Sequence, residues 1–360
     1  MAQSGTARFG THRRRWLLAL TALAVAFAPV PSPAAVQAAP AAKPKPRISL
    51  PKDESPHDVK NEWWYFTGHL SGRDAKGVKH SYGYELTFFR HGLGLFPRAS
   101  TYWAHFAVTD LNRRTFEYDS RTTVQADVLP GKGGYDIRLL GWHLAGRNGK
   151  SKISASSKQA GFGLSLDLRS LVPAALHGKG GIIPFGAMGS SSYYSQTRVK
   201  TSGTIVDHGR KIKVTGQSWF DHQWGDFTPT VAGWDWFSVQ LSNHTEYMVY
   251  VFRDSLGKAV HAIGTVVRAN GTTVAIPRRR MGLKRLGTWT SPATRHTYAS
   301  GWRLRVPGGH LIITPRLRDQ ELASSLGKYW EGACAVRGVI NGEQVRGLGY
   351  TELLPPYPQT

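Results

Sequence analysis

Cysteine is almost absent from this sequence. Of its 360 residues only Cys334 is a cysteine, so an internal disulfide is excluded and stability must come from packing. The stretch around it, EGACAVRGV, alternates like a β-strand. A cysteine in such a strand is typically a small buried hydrophobe, so we expect an inert thiol rather than a nucleophile.

Long apolar runs are also scarce, and the single one lies near the N-terminus. Arg13–Arg15 precede the run Trp16–Val30, and small residues follow it in PSPAAVQAAP. This order is typical of an export signal over residues 1–38, with cleavage after Ala38 or, alternatively, Ala42. The arginines also fit a twin-arginine signal. No second run could span a membrane, so we expect an exported, secreted or envelope-associated protein without a transmembrane segment.

The familiar catalytic signatures are missing too. The sequence contains no G-x-S-x-G elbow, H-E-x-x-H helix, P-loop or G-x-G-x-x-G turn, which argues against α/β-hydrolases, zinc proteases and nucleotide-binding enzymes. Its 14 histidines are isolated rather than paired at metal-ligand spacing, the nearest cluster being His222 with Asp221 and Asp226. We therefore expect neither a metal site nor a cofactor.

Acidic residues are few compared with basic ones. The chain has 23 Asp and Glu against 46 Lys and Arg, a formal net charge of +23. Such a positive field favours an anionic partner, and we expect an anionic cell-envelope surface. Nucleic acid is not expected, because the basic residues are scattered and the one dense run, Ile276–Arg285, lies in no recognition motif.

What the sequence does contain is a two-residue period. Residues 39–56 are a proline-rich tether, and after them short segments such as GFGLSLDLRS alternate apolar and polar side chains. Helical spacing is nearly absent, while 40 glycines and 20 prolines separate the segments. These features predict an all-β chain of sandwich or barrel type.

A weak internal repeat indicates how the strands are grouped. The segments Glu62–Arg90 and Trp234–Arg253 each contain an aromatic strand, a polar turn, a second aromatic strand and a terminal Phe-Arg. Two similar β-domains, residues 57–224 and 225–355, would explain this repeat. The alternative is that two aromatic hairpins resemble each other by chance.

Acids within aromatic strands are the best candidates for chemistry. KNEWWYFTGHL, GQSWFDHQWGDF and GWDWFSVQL each place a carboxylate and either a histidine or tryptophans close together. A poorly solvated carboxyl has a raised pKa, and aromatic faces stabilise a cation. Together they could protonate a double bond for hydration or cyclisation. Alternatively, Glu62, Asp221 and Asp235 only accept structural hydrogen bonds.

The first of these stretches predicts a strand with two different faces. Alternation separates Glu62 from His69, so the two are not expected to act as a dyad. Trp63, Tyr65 and His69 share one face, and Glu62 shares the other with Trp64. The pattern does not decide which of the two faces is turned inward.

Eight ordered stretches carry a resemblance to a known family. They are HDVKNEWWYFTGHL, GYELTFFR, AHFAVTD, SSYYSQTR, SWFDHQWGDF, GWDWFSVQL, YWEGACAVRG and GLGYTELL. Over about residues 50–355 the chain resembles the AttH-like predicted secreted hydrolases, which are related to the bacterial carotenoid 1,2-hydratases (hydroxyneurosporene synthases). The resemblance implies two packed, lipocalin-like antiparallel β-barrel domains, an architecture that fungal Diels–Alderases also resemble.

The resemblance also implies catalytic residues. Asp221, His222 and Trp224 match the D-H-x-W element of the hydratases. A downstream tyrosine–aspartate pair of the hydratases has no match, since HTEYMVYVFRD places its aspartate at the far end of the strand. We therefore predict that Asp221 or Asp235 protonates the alkene and that His222 orients or deprotonates water.

The predicted ligand is an elongated apolar molecule, such as an isoprenoid, a polyene or an acyl chain, since barrels of this kind enclose such molecules. Two rivals remain: a non-catalytic carrier, and an ester or lactone hydrolase, for which no nucleophile–base pair is recognisable. The residues predicted to bind the ligand are Glu62, Trp63, Tyr65, His69, His105, Tyr193, Tyr194, Trp224, Trp234, Trp236, Tyr250 and Glu331.

Overall fold

The computed structural model describes residues 48–92, 100–124, 126–128, 133–185, 189–227, 232–324 and 327–354. The predicted export signal, residues 1–38, lies outside these ranges, as do residues 39–47 of the predicted tether. Within the described ranges there is no α-helix, and two 3₁₀ turns, Lys52–Glu54 and Arg278–Arg280, are the helical segments. None of the described helices is long and apolar enough to cross a membrane.

The first large sheet has thirteen strands among the described residues. They are β1 Asn61–Arg73, β2 Lys79–Gly92, β3 Ser100–Asp110, β4 Thr115–Thr123, β5 Asp127–Val128, β6 Tyr135–Leu139, β7 Trp142–Arg147, β8 Lys150–Ser157, β9 Phe162–Ser170, β10 Ala175–Leu176, β11 Ile182–Pro184, β12 Ser190–Asp207 and β13 Arg210–Gly225. The strand order is β4-β3-β2-β1-β13-β12-β9-β8-β7-β6-β5, with β10 and β11 beside β12. Its ladders are antiparallel.

In the described part of the chain the second large sheet has ten strands, and a further two-stranded sheet is separate from it. The bounds are β14 Gly233–Leu241, β15 Glu246–Arg253, β16 Ala259–Val267, β17 Thr273–Ile276, β18 Gly282–Arg285, β19 Thr288–Thr290, β20 Thr297–Ala299, β21 Trp302–Val306, β22 Gly309–Pro315, β23 Glu321–Ser324, β24 Gly327–Ile340 and β25 Glu343–Leu354. The order is β17-β16-β15-β14-β25-β24-β22-β21-β18, with β23 on β24 and β19 paired to β20.

Side-chain alternation explains why these segments form strands. In β9 the apolar positions from Phe162 to Leu168 are buried, whereas Ser165, Asp167 and Arg169 are exposed. A strand with this pattern covers a core with one face and meets water with the other. The predicted fold class, all-β with two packed antiparallel barrels, is confirmed, because each large sheet curls around a core of its own.

Strand β1 divides its side chains between the first core and the contact with the second sheet. Trp64 and Phe66 lie in the core that the first sheet encloses. Tyr65 belongs to a cluster between the sheets, and Trp63 packs against that cluster. On the same face, His69 Nε2 lies 3.0 Å from a backbone oxygen of β25. The face that carries Trp63, Tyr65 and His69 is therefore turned toward the second sheet.

Candidate active site between the two sheets

A row of polar side chains on the first sheet faces the second sheet. Directly opposite each other on β3, β2, β1, β13 and β12 lie His105, Thr87, Tyr65, Asp221 and Ser195. Residues two positions along these strands share the same face. The next row on this face therefore lies two positions along each strand. It contains Trp103, Phe89, Trp63, Gln223 and Tyr193, of which all but Gln223 are aromatic.

The second sheet presents a matching row that contains two acids. Glu331 on β24 lies directly opposite Glu352 on β25, and Glu352 is in turn opposite Trp236 on β14. Tyr250 on β15 completes the row. Two carboxylates directly opposite each other repel when both are charged. This pairing therefore favours at least one neutral carboxyl group at neutral pH.

These rows enclose a cavity of about 210 Å³ between the sheets. Among the described residues, twelve of the lining side chains are aromatic, and the acids that line it are Glu62, Glu85, Asp221, Glu331 and Glu352. A pocket with apolar walls and a few convergent polar groups is the usual form of a small-molecule site. We refer to this space as the cavity.

Four of these acids have raised pKa values. Burial raises the pKa of Glu85 and of Asp221 to about 7 in each case. Burial and the neighbouring Glu85 raise the pKa of Glu352 to about 8. The pKa of Glu331 is raised well above its ordinary value, by burial first and then by Glu85 and Glu352. At neutral pH the Glu331–Glu352 pair is consequently mostly protonated.

Glu331 is held so that one of its oxygens remains available. The Tyr65 hydroxyl donates a hydrogen bond to Glu331 Oε1 at 2.7 Å. The other oxygen, Oε2, is buried and has no hydrogen-bond partner among the described residues. A neutral carboxyl with its proton on Oε2 is thus a free O–H donor beside aromatic walls.

In contrast to Glu331, Asp221 accepts hydrogen bonds on both of its carboxylate oxygens. The Tyr193 hydroxyl donates to Asp221 Oδ2 at 2.7 Å, and Trp219 Nε1 donates to Oδ1 at 2.6 Å. The Ser195 hydroxyl also donates to Oδ1. These three donors favour the ionised form and oppose the effect of burial on the pKa. With a pKa of about 7, Asp221 can exchange a proton near neutrality.

Glu85 is the third acid with a hydroxyl donor. Its Oε1 accepts hydrogen bonds from Thr87 at 2.7 Å and from the Tyr329 hydroxyl at 3.1 Å. His105 Nδ1 lies 2.7 Å from that hydroxyl. Like Glu331, Glu85 has a buried Oε2 without a partner in the described part of the chain.

Glu62 belongs to a separate hydrogen-bonded group. Its Oε1 lies 2.8 Å from His57 Nδ1 and 2.9 Å from His222 Nε2. Burial raises the pKa of Glu62, but the hydrogen bonds from both histidines outweigh it and leave the pKa lowered. Burial also lowers the pKa of His222. Glu62 is therefore an ionised acceptor, and His222 a neutral imidazole.

His57, Glu62 and His222 also form the one group of described residues whose potential metal-ligand atoms lie within 4.8 Å of one another, close enough to hold a metal ion. The second ring nitrogen of His222 has no partner in the described structure. Metal-binding histidines normally donate from that nitrogen. We therefore interpret the group as hydrogen bonds from two imidazoles to one carboxylate.

The structure brings most of the predicted ligand residues together and leaves others apart. Eight of the twelve line the cavity, namely Glu62, Trp63, Tyr65, Tyr193, Trp234, Trp236, Tyr250 and Glu331. His69 and His105 lie on the same face of the first sheet, outside that lining. Tyr194 and Trp224 pack around His222 in the first core.

Two of the three predicted catalytic residues lie away from the cavity. Asp235 is buried on the core-facing side of β14 and forms an ion pair with Arg253. His222 is fully buried on the core-facing side of β13, where it contacts Trp64. Asp221 does line the cavity, because it points to the opposite face of β13 from His222.

Glu85, Glu352 and Tyr329 are among the cavity residues that the sequence alone did not identify. Glu85 stands in GYELTFFR, Glu352 in GLGYTELL and Tyr329 in YWEGACAVRG. Each is a polar residue within an apolar strand, a signal that could have identified it as a candidate. What alternation does not show is that β2, β24 and β25 meet across the two sheets.

Comparison with known proteins supports this architecture. A protein-family profile described as AttH-like matches residues 41–355. Kievitone hydratase of Fusarium solani subsp. phaseoli is 23% identical over 270 residues, or 70% of this chain and 74% of that protein.

Two crystal structures share the fold. An AttH protein from Nitrosomonas europaea superposes with a TM-score of 0.76 at 29% identity, over 86% of this chain and 98% of that chain. Kievitone hydratase from Nectria haematococca gives a TM-score of 0.68 at 20% identity, over 87% and 94%.

Proposed function

This chain belongs to the AttH-like family, and we propose that it hydrates a carbon–carbon double bond of an apolar ligand held in the cavity. The observation that carries the proposal is Glu331, a neutral carboxyl with an unpartnered oxygen among aromatic side chains. The fungal relative named as a hydratase supports the reaction class.

The first step is proton transfer to carbon. The Glu331 O–H bond breaks, its proton forms a C–H bond with one alkene carbon, and the π electrons supply that bond. The other alkene carbon becomes a carbocation while Glu331 becomes a carboxylate. A donor with a raised pKa keeps its proton at neutral pH until the alkene is bound.

The aromatic walls stabilise the cation that forms. Trp234, Trp236 and Tyr250 line the cavity beside the acids, and Trp236 donates its indole N–H to the Tyr193 hydroxyl at 3.0 Å. That bond fixes the plane of the indole ring. A cation near an aromatic face is stabilised by about 0.5–2 kcal/mol.

The second step adds water. A water oxygen bonds to the cationic carbon and loses one proton, which passes through Tyr193 to Asp221. Because Asp221 has a pKa of about 7, it can accept this proton and release it to solvent. A further proton from solvent restores neutral Glu331, and the net reaction is addition of one water.

The cavity volume also bears on the ligand. About 210 Å³ is less than the roughly 300–1,000 Å³ of pockets that enclose whole drug-sized molecules. We propose that the cavity takes the alkene end of an isoprenoid, polyene or similar chain. The remainder of an elongated ligand would extend out of it.

Hydrolysis of an ester or lactone has one feature in its favour. Ser195 Oγ lies 2.6 Å from His177 Nε2, a serine–histidine contact that the sequence did not reveal. Both residues are fully buried, the serine donates to Asp221, and neither residue lines the cavity. A nucleophile must reach its substrate, so hydration is the better supported activity.

The test is incubation in ¹⁸O-labelled water with kievitone, acyclic polyenes and long-chain esters, followed by mass spectrometry. A product heavier by one labelled water supports hydration. Split esters carrying the label would support the hydrolase instead. Substrates that bind but return unchanged would identify a carrier and contradict the proposal.

A further inference from the structure

The outer face of the first sheet continues past the part that the second sheet covers. There, β7, β8, β9 and β12 present Arg147, Lys150, Arg169 and Lys200 directly opposite one another. All four side chains are exposed. Adjacent strands lie about 4.8 Å apart, so the four cations form a regularly spaced row across the sheet.

This row lies along a concave groove. Lys152 adds a fifth cation to its lining, and Asp167 is the one carboxylate among the described residues that line it. Asp167 Oδ1 is 2.5 Å from Lys152 Nζ, so that acid is already paired. Like charges directly opposite each other destabilise a strand pair. A bound anion would remove this repulsion.

We propose that this cationic groove binds a linear phosphate polymer whose successive phosphates lie along the row from Arg147 to Lys200. The guanidinium groups of Arg147 and Arg169 can each hold a phosphate through two parallel hydrogen bonds. Lys150 and Lys200 supply compact charges between and beside them. A groove with regularly spaced cations matches a chain of regularly spaced anions.

The lining distinguishes this occupant from other anionic partners. Of the described residues that line the groove, none is aromatic, whereas single-stranded nucleic acids are generally held by stacking on aromatic side chains. Leu168, the one large apolar side chain among the described lining residues, is buried, so none of those residues presents an apolar side chain for insertion into a bilayer. Phosphate groups without bases or acyl chains match the arginine and lysine side chains that line this groove.

The test measures binding of fluorescent poly(glycerol phosphate) to the whole protein over a range of salt concentrations. One variant combines Lys150→Gln, Arg169→Gln and Lys200→Gln. Its matched control combines Lys284→Gln, Arg303→Gln and Lys328→Gln, which removes the same charge from exposed positions of the second sheet. Thermal unfolding of both variants is measured alongside.

The groove variant should bind at least ten-fold more weakly than the wild type. Its affinity should also depend less steeply on salt, with the slope of log affinity against log salt smaller in magnitude by about two. The control should bind within two-fold of the wild type. Equal losses of affinity in both variants would show that only the net charge matters. Unchanged binding in the groove variant would show that the groove is not the binding site. Tighter groove-dependent binding of an oligodeoxynucleotide or of anionic vesicles would overturn the assigned occupant.

Discussion

Glu331 is the residue on which the proposed chemistry depends most. Glu331→Gln keeps the shape and the contact with Tyr65 but removes the transferable proton. Because a positioned general acid contributes about 10²- to 10⁴-fold, turnover should fall by that factor. Folding should change little, since an amide replaces a carboxyl that is already neutral. Steady-state kinetics and urea unfolding measure the two effects.

The matched control is Glu343→Gln, an exposed acid on β25. It removes a carboxylate outside the cavity, so its turnover should equal that of the wild type. Full activity in Glu331→Gln would exclude Glu331 as the proton donor. Equal losses in both variants would point to a general effect of charge.

The D-H-x-W element shows how far prediction could reach at the scale of the residue. Asp221 and His222 are neighbours in sequence, but alternation turns them to opposite faces of β13, so only Asp221 meets the cavity. The sequence offers no tyrosine–aspartate pair downstream, whereas the Tyr193 hydroxyl donates a hydrogen bond to Asp221 from 28 residues upstream, on the adjacent strand. The residue types indicated acid chemistry, but which residues hydrogen-bond to each other could be known only from the pairing of the strands.

At the scale of the element, the Glu331–Glu352 pairing between β24 and β25 predicts an unusual dependence of stability on pH. Glu352 has a pKa of about 8 in the fold and an ordinary value near 4.3 when unfolded. Between these values the folded state keeps a proton that the unfolded state has released. The free energy of unfolding should therefore fall as pH rises from about 4 to about 8, by at most about 1.4 kcal/mol per pH unit from this group.

Glu352→Gln removes this titration. We expect the variant to be more stable than the wild type at pH 8 and to show a flatter profile between pH 5 and 8. Urea unfolding across that range measures the difference, with Glu343→Gln as the control that should follow the wild type. A Glu352→Gln profile parallel to the wild type would contradict the raised pKa.

Gly83 marks the contact of β2 with the second sheet. A Cβ at this position would lie 2.7 Å from Ala333 Cβ and 3.1 Å from the Tyr350 hydroxyl. Gly83→Val should overpack this contact and lower the free energy of unfolding by about 1–3 kcal/mol. Ser81→Val, two residues away on the same strand, is the control that should cost less. Chemical unfolding measures the stability of both variants. Equal stabilities of the two variants would show that Gly83 does not pack tightly against the second sheet.

Strand formation itself was predictable, because alternation is a local property. The segment GFGLSLDLRS became β9 with the expected buried and exposed positions. Which strands pair was not predictable, since β1 lies between β2 and the distant β13. Alternation fixes the two faces of a strand without specifying its neighbours.

At the scale of the whole molecule, the cavity is formed by chain segments that are far apart in sequence. Tyr65 and Glu331 are 266 residues apart and share a hydrogen bond. Composition showed the net charge of +23 and favoured an anionic partner. It could not show that Lys150 and Lys200 belong to one row, because β8 and β12 are brought together on either side of β9 only by folding.

The most direct test of the central claim, proton transfer from a fixed carboxyl to carbon, is turnover in D₂O followed by NMR of the product. A substrate hydrated in the labelled-water experiment is used. Because the cavity carboxyls exchange with solvent, the product should carry one carbon-bound deuterium, on a single face of the former double bond. A hydrated product with deuterium on both faces, or with none on carbon, would contradict the account.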